Sequence, residues 1–436
     1  MADPGLPLVT LLILVPVAGA GLLWLVPDGR RARWVALATG LSTLAIALTV
    51  ASRLDPAQPD FQMVERAAWI PSLRVQYLLG VDGISVLFLP LTALVFLGAT
   101  VGSWTSARTM PRLYYTLLLL LEGANLGVFR ALDAILFFLF WELTLIPLYF
   151  LVSLWGIGPN RRYAAVKYSL VMLAGGVPLL FGFLLLAFNH ASVTGSSVPD
   201  GLAFDYLTLL HTPLPAGTEL AVLLLLLLGF AVKTPVFPFH TWLPVVAQEG
   251  PAAVVALLTG LKLGAYGLLR FTIPLAPHAA QELHWLLAGL GVIGILYGGL
   301  AALAQTNLRR MLAYSSMSHV GLVVLALASL NIQGLQGAVF QLLNFTVVAA
   351  GLFLLTGALH HRVGSTEVVG LGGAARTMPL LASFYLLFGL AGMGLPGTNG
   401  FPAELLMLVS ALRAHTGAGL AALFGVVLGA GYFLGI

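Results

Sequence analysis

Runs of roughly 20 apolar residues recur from one end of this chain to the other, the length of helix that crosses the hydrocarbon of a bilayer. In lipid, every backbone donor and acceptor must be satisfied within the protein, so only helices and closed barrels span. The alternation of polar and apolar residues that marks a membrane barrel is absent. The chain therefore reads as all-α and polytopic. Composition agrees. The 436 residues are 59% hydrophobic and 8% charged, where soluble domains carry about 25% charge.

The pattern predicts thirteen helices, at 8–26, 34–52, 82–104, 113–130, 132–154, 163–188, 219–240, 251–271, 283–304, 308–330, 334–360, 380–410 and 418–435. Two connections, 53–81 and 189–218, are rich in Pro, Asp and Ser and are expected in water. Neither is long enough for a separate domain, so residues 1–436 form one membrane domain. Its expected parts are N-terminal helices over 1–112, a first repeat over 113–271 and a second over 283–435. The first apolar run has no basic residues before it, and Arg30, Arg31 and Arg33 follow it, so it reads as a retained helix and not a cleaved signal. Loops after odd-numbered helices hold eleven arginines against six on the other side, which places the odd loops in the cytoplasm and the N-terminus outside.

Several function classes are excluded early. The net charge of +4 is scattered through short loops, which argues against nucleic acid as a partner. With no cysteine there is no disulfide, no iron–sulfur ligation and no thiolate zinc site. No Gly-rich nucleotide loop and no helical His pair suited to haem is present. No cofactor or metal is expected on this chain.

The charges inside the apolar runs carry the chemistry. The three lysines, Lys167, Lys233 and Lys262, all fall within predicted helices, while the loops use arginine throughout. A lysine at the centre of a membrane helix costs about 2.5–3.5 kcal/mol on insertion scales. Lysine can give up its proton when desolvated, and arginine cannot. Glu122, Glu142 and Glu404 are likewise within apolar runs, as is His319. Glu122, Glu142, Lys233, Lys262 and His319 fall near mid-depth, and Lys167 nearer the cytoplasmic end. Singly, each has a plain structural role open to it: a glutamate can bond a neighbouring helix, and Lys167 can snorkel to the interface. Together they make a row of titratable groups in the plane of the bilayer.

Two of these helices are interrupted. Pro235 and Pro238 follow Lys233, and Gly394, Pro396, Gly397 and Gly400 precede Glu404. Broken helices at membrane depth are tolerated where they line protein or a wet cavity. The two breaks lie five helices apart, which fits inverted five-helix repeats around a transport path.

The stretches FFLFWELTLIPLYFLV, AVKTPVFPFHTWLP, LLTGLKLGAYGLLRF, RRMLAYSSMSHVGL and GMGLPGTNGFPAELLML, in this order, resemble the antiporter-like membrane subunits of respiratory complex I (NADH:quinone oxidoreductase) and of Mrp antiporters. Most relatives have lysine on the twelfth helix. The M-type subunit, also chain 4 or D, has glutamate there, as Glu404 is here. The resemblance implies a fourteen-helix fold and roles for matching residues. Glu142 would pair with Lys233, Lys262 would be the central relay, His319 would carry the proton onward and Glu404 would exchange it. Glu122 matches a further acid. It also implies partner membrane subunits, with NAD, flavin, iron–sulfur clusters and quinone held by partners, in a bacterial plasma membrane or a thylakoid or organelle inner membrane. The chain departs from the pattern in three places. Val245 and Ala247 stand where relatives have an acid and a histidine, Phe345 stands where they have a histidine, and the sequence given ends after thirteen helices.

The leading expectation is thus a proton-translocating subunit of an NADH-, NADPH- or ferredoxin-driven quinone reductase. One alternative is a cation/proton antiporter subunit of Mrp or membrane-hydrogenase type. Another is a structural subunit whose path has decayed. A stand-alone solute transporter fits less well, since no polar cluster suggests an organic substrate.

Overall fold

The computed structural model describes residues 6–26 and 29–435; residues 1–5, 27, 28 and 436, and the side chain of Arg30, one of the arginines counted above, lie outside the described residues. Among the described residues, eleven helices are long and apolar enough to cross a membrane. The two expected spans outside that set have identifiable causes. The fourth helix, Pro111–Val128, carries Arg112, Glu122 and Asn125 and is less apolar. The twelfth is two shorter helices, Pro379–Gly392 and Gly400–Ala414, separated at the Gly/Pro-rich stretch.

By internal contacts the chain divides into two units. The first takes in Met1–Leu151, Met172–Phe230 and Arg270–Ala279, and the second Val152–Val171, Ala231–Leu269 and Ala280–Ile436.

In the first unit, Leu8–Leu22 packs on Gly29–Arg53 and on Pro111–Val128, and Gly29–Arg53 packs on Ser85–Gly102. The reading of 53–81 as a plain aqueous loop needs correction. It contains an antiparallel hairpin, Gln62–Ile70 with Val75–Val81, turned at Arg74 in the left-handed region (φ 60°). The second strand, VQYLLGV, is mostly buried, as its β-branched and aromatic content favours. Its Pro- and Asp-rich approach hid the pair.

The hairpin also completes a helix end. Pro7 precedes the first helix and offers no side-chain acceptor. Glu65 supplies one, accepting from the backbone N–H of Val9 and of Thr10 at 2.9 Å each. Asp133 caps Ala134–Leu143 by accepting from Ile135 and Leu136 at 3.0 Å, and its other oxygen takes the Gln76 N–H at 3.0 Å, tying strand to helix.

One buried ion pair sits in this unit. Arg270 Nη2 donates to both oxygens of Asp82, at 2.6 and 2.7 Å. Burial works against the Asp82 charge, yet Arg270 and the Ser85 hydrogen bonds outweigh it and hold the carboxyl below its ordinary 3.8. Because the folded value is depressed, the contribution is full above 3.8 and fades only as pH falls below that. Asp82→Ala removes the carboxylate from the buried guanidinium and is expected to cost about 3–5 kcal/mol. A lowered thermal midpoint of the purified protein in detergent would show this. An unchanged midpoint would assign the pair no stabilising role.

The second unit is built round Leu308–Ala328, which is buried almost throughout. His284–Leu303 lies against it with its glycines inward: a Cβ at Gly298 would come within 2.7 Å of the Ser318 nitrogen, and one at Gly291 within 2.8 Å of the Gly321 carbonyl. Small residues of this kind let membrane helices approach backbone to backbone. Ile332–Val363, Gly400–Ala414 and Thr416–Leu434 complete the surround.

Candidate functional site

Lys262 was expected inside a continuous helix over 251–271, and the structure corrects this. Ala252–Gly260 ends before it, Leu261 is extended, and the chain turns helical again at Leu263. The break is held from outside the segment. Thr346 Oγ1 donates to the freed Gly260 carbonyl at 3.3 Å. Beyond Lys262 the helix continues through a π-helical turn, Leu268–Thr272; such turns are frequent at functional sites. The Lys262 side chain, in a residue 7% exposed, donates to Ser316 Oγ.

Ser316 and His319 are three residues apart on Leu308–Ala328, hence on one face of it. His319 Nδ1 lies 2.8 Å from the Ser315 carbonyl, and Nε2 lies 2.8 Å from the Gly392 carbonyl, which the break in the twelfth helix sets free. A ring carrying both protons donates to both carbonyls at once; a neutral ring donates to one. Nε2 is also 3.7 Å from Glu404 Oε1.

Glu404 is 5% exposed and accepts from Gln341 Nε2 at 3.4 Å; Gln341 Oε1 in turn accepts from Asn344 at 3.3 Å. Gly394, at φ +66°, permits this placement, since a Cβ there would run into the Glu404 carboxylate. The Phe345 ring packs tilted against the His319 ring, centroids 4.4 Å apart, so the position where a histidine was expected offers packing only. Lys262, His319 and Glu404 thus join one cluster, with Ser315, Ser316, Gln341 and Asn344 as members not singled out from the sequence.

Lys233 is the last residue of Ala216–Lys233, where a cation complements the helix dipole. The helix stops there as expected. The Val232 carbonyl in its last turn accepts from the Trp242 indole at 3.0 Å, and the chain turns helical again over Trp242–Glu249. Ala247 is buried on that segment and Val245 half-buried, so no titratable group replaces the expected acid and histidine. Lys167 leans on the exposed Tyr163 ring at 5.9 Å, as an interfacial lysine does.

In the first unit, Glu142 stands one residue before the end of Ala134–Leu143, with its carboxylate against Gly176. That helix is interrupted at Thr144, whose hydroxyl turns back to the Trp141 carbonyl at 2.8 Å. Glu122 is buried on Pro111–Val128, and its Oε1 has no hydrogen-bond partner among the described residues.

Chemically, the cluster in the second unit is a line of proton donors and acceptors in apolar packing. Among the described residues no group of three or more His, Cys, Asp and Glu could hold a metal ion.

Known proteins share this sequence and architecture. The model of the family described as NADH:quinone oxidoreductase/Mrp antiporter, transmembrane, matches residues 131–429. NAD(P)H-quinone oxidoreductase chain 4 3 of Picosynechococcus sp. is 38% identical over 95% of this chain and 74% of its own length. NADH-quinone oxidoreductase subunit M of Rhodobacter capsulatus is 36% identical over 98% of this chain and 85% of its own. Among solved structures, a chain of respiratory complex I from Thermus thermophilus with bound NADH superposes with a TM-score of 0.88 at 33% identity, covering 98% of this chain and 87% of that one.

Proposed function

The chain belongs to the NADH:quinone oxidoreductase/Mrp antiporter transmembrane family, and we propose that it is a proton-translocating M-type membrane subunit of a complex I-like quinone oxidoreductase. The observation that carries this reading is the buried cluster in which Lys262 donates to Ser316, His319 shares the Ser316 face of Leu308–Ala328, and Glu404 lies 3.7 Å from His319. An uncompensated charge in such packing is costly, so groups kept there are best explained by proton exchange.

Lys262 gives its proton to the Ser316 hydroxyl as that hydroxyl passes its own toward His319. His319 holds two protons between the Ser315 and Gly392 carbonyls. Glu404 then takes one, with Gln341 bracing its carboxylate. Glu142, Glu122 and Lys233 act as further exchange groups in the same translocation. Electron transfer from NAD(P)H through flavin and iron–sulfur clusters to quinone belongs to partner membrane and peripheral subunits, and this chain has no redox site of its own. Translocase is accordingly the class we assign it.

Phe345, packed against His319, and buried Ala247 favour a second reading, a structural subunit with a decayed path. His319→Ala separates the two. Proton movement into sealed vesicles bearing the complex is expected to fall about tenfold, because water entering the vacated space sustains a slower route. Phe345→His is expected to keep or raise the flux. Unchanged pumping by His319→Ala would favour the structural reading.

A further inference from the structure

The last helix, Thr416–Leu434, brings a hydroxyl to the same cluster. Tyr432 is buried, and its oxygen accepts from Ser315 Oγ at 3.0 Å. Since the serine donates, the phenol's own proton is free to point elsewhere. Tyr432, His319 and Glu404 line a cavity of about 20 Å³, with apolar groups such as Ile295, Leu322 and Met393 and with Ser318, whose hydroxyl donates to the Ile295 carbonyl at 3.0 Å. That volume holds one water molecule. The 3.7 Å between His319 Nε2 and Glu404 Oε1 is too long for a good direct hydrogen bond, and a gap of this size is where a bridging water belongs. On the other side of the imidazole, Phe345 has no polar atom to help.

We propose that Tyr432 is a positioning residue that holds a water molecule between His319 and Glu404, and that this water carries the last transfer of the path. The proposal rests on the function proposed above. Tyr432 donates to the water, and the water donates to the Glu404 carboxylate. In the transfer, the His319 imidazolium turns its Nε2 proton from the Gly392 carbonyl to the water oxygen as the water gives a proton to Glu404. The ring ends neutral, the acid protonated and the water restored. Ser315 fixes the phenol's orientation, and its carbonyl accepts from His319 Nδ1, so one residue aligns both partners.

Tyr432→Phe removes one oxygen and keeps the packed ring. In sealed vesicles bearing the whole complex, proton flux is expected to fall about tenfold, the worth of one well-placed hydrogen bond. The infrared carbonyl band of protonated Glu404, identified by its loss in Glu404→Gln, is expected to shift in Tyr432→Phe, which a packing role alone would not cause. Adding Phe345→His to Tyr432→Phe is expected to recover most of the flux. If the phenylalanine variant assembles poorly, Ser315→Ala leaves the cavity lining intact and is expected to move the same band and lower the flux by about twofold to threefold. Normal flux with an unmoved band in the assembled variants overturns the proposal. Should Glu404→Gln itself pump normally, it is the proposed function that fails; an inert Glu404→Gln beside a normal Tyr432→Phe defeats only the role of Tyr432.

Discussion

Glu404→Gln is expected to leave the protein assembled and to cut proton flux by about a hundredfold or more, the range for losing a proton-transfer group. The substitution is nearly isosteric. The Gln341 amide still finds an oxygen at 404, and the close passage of Gly394 is unchanged. What disappears is a group that takes up a proton from the His319 side. Helix packing around Ala403 and Met407, both fully buried, should hold the Gly400–Ala414 helix in place. The check is the initial rate of proton uptake in sealed vesicles, normalised to complex content. A rate near that of the unaltered protein would remove Glu404 from the path.

Much of this cluster could be read from the chain before any coordinates. The apolar runs predicted where most helices lie, and Pro235, Pro238 and the Gly394–Gly400 stretch marked the two breaks that the structure contains. Lys262, His319 and Glu404 stood out because charge inside an apolar run is rare. The break at Leu261–Lys262 did not stand out, because its causes are distant. The Thr346 hydroxyl reaches Gly260 across 86 residues and Ser316 meets Lys262 across 54. Local pattern carries no trace of such support.

Other members left a faint signal. Gln341 and Asn344 interrupt an apolar helix three residues apart, a spacing that places two amides on one face. Ser315 and Ser316 read as tolerated small residues, and only the neighbours brought by folding reveal their hydroxyls as partners. Tyr432, near the end of the last helix, carries no charge to mark it within an apolar run. The hairpin at 62–81 was missed because its strands lack clean alternation and are tied to Val9 and Asp133, far along the chain.

Lys262 decides the account. Arginine at this position keeps the positive charge and can still donate to Ser316, so the cluster should assemble. Arginine does not release its proton at any pH the protein meets. Flux through the line is therefore expected to stop, a loss of about a hundredfold or more, while a merely structural lysine would tolerate the exchange of one cation for another. The most direct measurement is the number of protons moved per electron pair passed to quinone, in sealed vesicles bearing the complex with Lys262→Arg. Assembled complex with that ratio sharply lowered is expected; an assembled complex with the unaltered ratio would place the proton path elsewhere.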